Sequence, residues 1–189
     1  MSTARRYKLV LNAPLTITFV AICVLALVLS SVTGGKSDTL VFGVYRSSLS
    51  DPLTYVRFFC HIFGHVDINH LINNMLLILI LGPMLEERYG SSLLLLVIGV
   101  TALLTGVVHF IFFPGQMLLG ASGVVFAYIV LASVSGFRQR EIPITFIIVA
   151  VVYLGQQIYQ GLFDTDNISQ LTHIIGGVIG GICGFRSRR

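Results

Sequence analysis

Gly120-Ala121-Ser122-Gly123 sets a single small polar residue between glycines, just where an apolar run from Val124 to Ala132 begins. A serine in such a place has an ordinary use. Small side chains at helix–helix contacts in a membrane let two backbones approach, and Ser and Gly are both enriched there. A second polar group beside it changes the reading. The candidate is His173, in Leu171-Thr172-His173-Ile174-Ile175-Gly176-Gly177, also near the start of an apolar segment. Whether Ser122 and His173 can meet depends on how often the chain crosses a membrane between them.

The composition requires a membrane. Of 189 residues, 55% are hydrophobic and 11% charged, with mean hydropathy +0.90. Soluble domains carry about 25% charged residues, so this chain cannot cover a surface facing water, and the lipid bilayer is its first partner. The length suits one domain, residues 1–189, with no room for a soluble module beside the membrane part. A charge of +4 and a pI near 9.2 would also suit a nucleic-acid binder. The basic residues, however, stand at segment ends rather than in a patch, which speaks for membrane orientation and against nucleic acid. Cys23, Cys60 and Cys183 are odd in number and form no C-x-x-C pair, which argues against a disulfide framework or a zinc site.

A short basic tail (residues 1–10, with Arg5, Arg6 and Lys8) leads into an apolar run from Leu15 to Thr33. That run has the length of a spanning helix and no A-x-A site follows it, so it reads as a retained first span rather than a signal peptide. A long polar connection, about residues 34–69, contains the half-apolar piece Tyr55 to Phe63, suited to an interface. The second span, Leu71 to Leu85, is interrupted by Gly82-Pro83 and closed by Glu86-Glu87-Arg88-Tyr89-Gly90. The third runs from Leu93 to Phe113, the fourth from Gly120 to Gly136, the fifth from near Pro143 to Leu162, and the sixth from about Ser169 to Phe185. The expectation is an all-α, polytopic bundle of six membrane helices. With the N-terminus inside, nine of the twelve Lys and Arg lie inside: Arg5, Arg6, Lys8, Arg88, Arg138, Arg140, Arg186, Arg188 and Arg189. The positive-inside bias therefore predicts that both termini are cytoplasmic.

In that topology the second, fourth and sixth spans all enter from the outer face. His70 stands at the start of the second, with Asn74 one turn deeper on the same helical face. Ser122 lies in the first turn of the fourth and His173 in the second turn of the sixth. Four polar groups on three helices thus share one depth, and such groups inside a membrane usually face each other or a wet cavity. Gly176, Gly177, Gly180, Gly181 and Gly184 on the sixth span, with Gly120 and Gly123 beside the serine, would permit a backbone-to-backbone approach.

At these residues the chain resembles the rhomboid family of intramembrane serine proteases. Gly120-Ala121-Ser122-Gly123 is similar to the family's G-x-S-G, and His173 with Gly176 and Gly180 to its last helix. His70 to Asn74 matches H-x-x-x-N, and Glu86 with Arg88 before Gly90 looks like E-x-R. His61 and His65 fall where many members carry loop histidines. The chain departs from the family at two places, with Val56-Arg57 for the usual Trp-Arg and Phe126 for a Tyr that stacks on the histidine. The resemblance implies a six-helix serine endopeptidase, multi-pass in a bacterial plasma membrane, that cuts transmembrane protein substrates and uses no metal or cofactor.

The residues themselves permit that chemistry. A serine needs a base within hydrogen-bond reach, and His173, with an ordinary pKa of ~6.5, can take its proton and then protonate the leaving amine. No carboxylate lies on the fourth or sixth span, so a Ser122–His173 dyad is expected. His70, Asn74 and the Ser122 backbone N–H would serve as donors to the oxyanion. His61 and His65 are four residues apart, yet no H-E-x-x-H completes a metal motif, and loop structure is the expectation. His109 reads as a helix-end residue. Glu86 and Arg88 are expected to pair with each other and with loop backbone. Two other readings use the same residues: a haem-binding electron carrier held by His70 and His173, and an inactive rhomboid-like protein that binds membrane clients.

Overall fold

The computed structural model describes residues 11–134 and 167–187, together with residues 144, 147, 148, 151 and 152, which are helical. The fifth span falls mostly outside the described residues. So do the basic tail, the Arg138–Glu141 and Asp164–Asp166 connections, and Arg188 and Arg189. Among the described residues, six α-helices have defined bounds: α1 Pro14–Thr33, α2 Pro52–Cys60, α3 Ile68–Tyr89, α4 Ser91–Phe112, α5 Ser122–Val134 and α6 Asn167–Arg186. Among the described residues there is no strand beyond one isolated pairing of Val44 with Leu118. The fold is all-α, and α1, α3 and α4 are each long and apolar enough to cross a membrane.

Two boundaries differ from the sequence reading. The second span is not broken at Gly82-Pro83, and Glu86 to Tyr89 do not form a closing loop. α3 is continuous from Ile68 to Tyr89, with Pro83 inside it, and ends at Gly90. A proline forfeits one backbone hydrogen bond and crowds the preceding turn, but tertiary contacts on both sides of it hold the helix. Gly82 packs against Thr16 of α1. One turn later the Glu86 carboxylate accepts from the N–H of Leu15 (2.9 Å) and of Thr16 (3.0 Å), from Thr16 Oγ1 (2.8 Å) and from Ser91 Oγ (2.8 Å).

Those four donors correct a second expectation, because none of them is Arg88. The guanidinium of Arg88 lies over the Tyr89 ring instead. The first N–H groups of a helix have no intrahelical acceptor and carry the positive end of its dipole. Glu86 therefore satisfies the first N–H groups of α1, holds the Ser91 hydroxyl at the start of α4, and pins three helices at one end of the bundle.

The connection 34–69 is also more ordered than a polar loop. Asp51 caps α2 by accepting from the Leu53 N–H (3.0 Å), with Pro52 in the first turn. α2 lies against α4 at Gly106, where the Phe58 backbone leaves no room for a Cβ.

The tightest helix contact among the described residues joins α5 to α6. A Cβ on Gly176 would land on the Gly123 carbonyl, and one on Gly180 would land on the Ala127 carbonyl. The two pairs advance together by four residues along both helices, so α5 and α6 run parallel. Replacing Gly176 or Gly180 by Ala should therefore lower stability by about 1–3 kcal/mol through overpacking against backbone that cannot move aside. Gly181→Ala is the control. Its Cβ would meet only Val130 Cγ1 at 3.7 Å, so that variant should unfold no lower than wild type. Thermal unfolding of the three variants in one detergent distinguishes a seam that needs glycine from a stripe that merely contains it.

Candidate active site

The turn before α5 is built from backbone first. Val44 and Leu118 exchange two N–H to carbonyl bonds of 2.9 Å, and the Gly120 N–H donates to the His61 carbonyl at 2.9 Å. Gly120 has φ +139, a conformation that only glycine adopts freely. A side chain there would also strike the His70 imidazole, with Cε1 2.8 Å and Nε2 3.0 Å from the position of a Cβ. Both facts fix glycine at this position. Ala121 accepts the Val125 N–H, so Ser122 opens α5 and its own N–H belongs to the unpaired first turn.

The α5–α6 seam sets His173. Its side chain is buried, 9% exposed, and its ring lies 4.1 Å, centroid to centroid, from Phe126, one turn beyond Ser122. Gly123, beside the serine, faces the Thr172 carbonyl across the same seam. On α3, Asp67 caps the helix by accepting the His70 N–H at 2.8 Å. Asn74 follows His70 by one turn and is 6% exposed, and its Nδ2 has no hydrogen-bond partner among the described residues. The structure thus brings His70 to the Gly120–Ser122 turn and His173 to the first turns of α5, with Asn74 buried on the same helix as His70.

The remaining histidines bond to backbone. His61 lies with Nε2 3.1 Å from the Ala102 carbonyl and 3.3 Å from Thr105 Oγ1. His65 donates from Nδ1 to the Phe63 carbonyl at 3.1 Å. Burial holds both well below the ordinary histidine range, at about 4, outweighing those carbonyl bonds. His109 sits in the last turn of α4, stacked on Phe113. Arg57, which lacks the tryptophan neighbour, is buried in an ion pair with Asp51 (2.6 Å), and its guanidinium lies over the Tyr45 ring at 4.9 Å. Sequence reading missed Tyr45, Thr105 and the Val44–Leu118 pairing. It also missed the caps Asp51 and Asp67, although an Asp just before a helical run is a signal that could have found them.

A rhomboid domain model matches residues 52–189. The chain belongs to the rhomboid family. This rhomboid is similar to the rhomboid protease GlpG of Serratia proteamaculans (strain 568), with 30% identity over 93% of the chain and 63% of that protein. It is similar to the rhomboid protease GluP of Bacillus subtilis (strain 168), with 30% identity over 88% of the chain and 33% of that protein. It is also 31% identical to the rhomboid protease GlpG of Salmonella choleraesuis (strain SC-B67), over 88% of the chain and 60% of that protein. The chain spans less than two thirds of the length of each of these relatives. Family and apolar helices together make it an integral membrane protein.

The loop histidines of this rhomboid carry a pH signature. The folded state keeps His61 and His65 neutral down to about pH 4, whereas unfolded histidines titrate near ~6.5. Above ~6.5 neither state holds these protons and the stability is full. As pH falls from there toward 4, the unfolded chain takes up protons that the folded one refuses, and stability is lost. The unfolding temperature should therefore fall across that window. His61→Gln, whose amide N–H can still reach the Ala102 carbonyl, should show a shallower decline.

Proposed function

We propose that this rhomboid domain is a serine endopeptidase that cuts transmembrane proteins within or beside their spans, with Ser122 as nucleophile and His173 as general base. One observation supports the reading most: Ser122 opens α5 with His70 lying against Gly120 two residues before it and His173 against Phe126 one turn after it. His173 takes the Ser122 proton as Oγ attacks the peptide carbonyl, and the carbonyl oxygen becomes an oxyanion. The His70 ring N–H, the Asn74 amide and the Ser122 N–H donate to it. Asn74 has a buried amide with no acceptor among the described residues; such a donor costs about 1–3 kcal/mol when unpaired, and developing negative charge would supply its partner. The intermediate collapses, His173 protonates the leaving amine, and water then releases the acyl group by the same base. No metal or cofactor enters these steps.

A regular substrate helix hides its peptide bonds, and irregular backbone is tolerated at membrane depth only where protein or water satisfies it. Substrates with weak, Gly- or Ser-rich spans would therefore be favoured, entering sideways between helices. Six spans with both termini cytoplasmic, in a bacterial plasma membrane, complete the reading. The parallel α5 and α6 support it, since parallel spans need one crossing between them. On the same grounds Gly120, Gly123, Gly176, Gly180 and Phe126 support the site by close packing.

Ser122→Ala and His173→Ala should each abolish cleavage of a transmembrane test substrate while leaving the protein folded. Labelling by a serine-directed fluorophosphonate should be lost in Ser122→Ala. Cleavage at the wild-type rate by Ser122→Ala would end the protease reading. Asn74→Ala should lower kcat by ~10-fold or more, toward the ~10²–10³ of a single lost oxyanion donor, with KM little changed. An unchanged kcat in a less stable Asn74→Ala protein would give Asn74 a packing role only.

Orientation is tested apart from the chemistry. A reporter fused after Arg189 should read as cytoplasmic, and a periplasmic signal would invert the topology.

A further inference from the structure

We infer that His65 is a positioning residue for His70, its buried ring holding the His70 imidazole at its contact with Gly120. This rests on the protease reading, in which His70 is an oxyanion donor. The His65 and His70 rings meet edge to face, with centroids 5.1 Å apart and planes at 67°. His65 is fully buried, 0% exposed, whereas His70 is only half-buried. A half-buried ring on the first turn of a helix has freedom at χ1 and χ2, and the Asp67 cap restrains its backbone but not its ring. Edge-to-face ring contacts have a preferred geometry. The contact thus favours one orientation of the His70 ring.

His65 is itself fixed by the loop that fixes the nucleophile turn. Its Nδ1–H donates to the Phe63 carbonyl (3.1 Å), and four residues earlier the His61 carbonyl accepts the Gly120 N–H (2.9 Å). One short segment, His61 to His65, therefore sets both the position of Gly120 and the ring beside His70. The bond from Nδ1 leaves Nε2 as the unprotonated nitrogen, and this atom has no hydrogen-bond partner among the described residues. That is a costly place for a bare imidazole nitrogen, and an aliphatic side chain would fill the same volume without the cost. The role that needs an imidazole is the pair of contacts, a donor to the loop and a flat ring for His70.

Two substitutions separate those contacts. His65→Asn keeps an amide N–H for the Phe63 carbonyl and removes the ring. His65→Phe keeps the ring and removes the donor. Positioning predicts that His65→Asn lowers kcat by ~10-fold, with KM nearly unchanged and a thermal midpoint close to wild type. A misplacement of about 1 Å in a catalytic group can cost up to ~10². His65→Phe should unfold at lower temperature, yet keep kcat per fluorophosphonate-reactive enzyme within about 3-fold of wild type. In a His70→Ala background, His65→Asn should cost nothing further in kcat.

The reverse pattern, with Asn active and Phe slow, overturns the proposal and leaves the protease reading intact. So does a His65→Asn loss that multiplies fully with His70→Ala. A His70→Ala protein as fast as wild type would remove His70 from the oxyanion site, and the positioning role with it.

Discussion

The parallel seam between α5 and α6 is the contact on which the rest of the arrangement depends. No side chain separates the two backbones at Gly176 and Gly180, so their carbonyl-to-glycine distances set the register. In a bilayer there is little hydrophobic drive to bring one helix to another, and close van der Waals approach has to supply the association. A seam made of backbone also has almost no rotamer freedom. It fixes the depth of His173 relative to the first turn of α5 more rigidly than interlocking leucines would. Phe126 then covers the His173 ring at 4.1 Å, giving it an apolar wall with no hydroxyl to compete for its nitrogens.

The other half of the site is carried by loop backbone. Val44 with Leu118 and His61 with Gly120 fasten the connection before α5 to the segment after α1. The buried His61 ties that segment in turn to α4 through the Ala102 carbonyl. At the far end of the bundle Glu86 gathers the starts of α1 and α4 onto α3. Polar groups thus fasten the fold both at the Glu86 end and at the middle of α4, where His61 meets the Ala102 carbonyl and Thr105. Arg57 fits the same pattern. In place of a neighbouring tryptophan, it uses Tyr45 for its flat face and Asp51 for its charge.

Much of this was legible in the chain itself. The apolar runs that became α1, α3, α4, α5 and α6 gave helices whose described ends moved by only a few residues. The misreadings share one cause. Gly82-Pro83 reads as a break because local propensity is all that a sequence displays there; the contact with Thr16 and the docking of Glu86 are made by residues some seventy positions away in the chain. Glu86 and Arg88 read as a pair because they are close in sequence, but two residues apart on a continuous helix they do not face each other, and Glu86 faces the first N–H groups of α1.

By itself the sequence determined that this protein lives in a bilayer and where the apolar runs that became α1, α3, α4, α5 and α6 lie. Composition, run length and residue type decide those properties, and each is local. Only the tertiary structure decided which face of α3 turns toward Gly120, which acceptor meets each loop histidine, and that α5 meets α6 through bare backbone. A glycine stripe permits close approach without naming the partner, and helical periodicity defines a face without naming what it touches. Those choices are made by shape complementarity and by the need to pair every buried backbone donor, and both are properties of the assembled bundle.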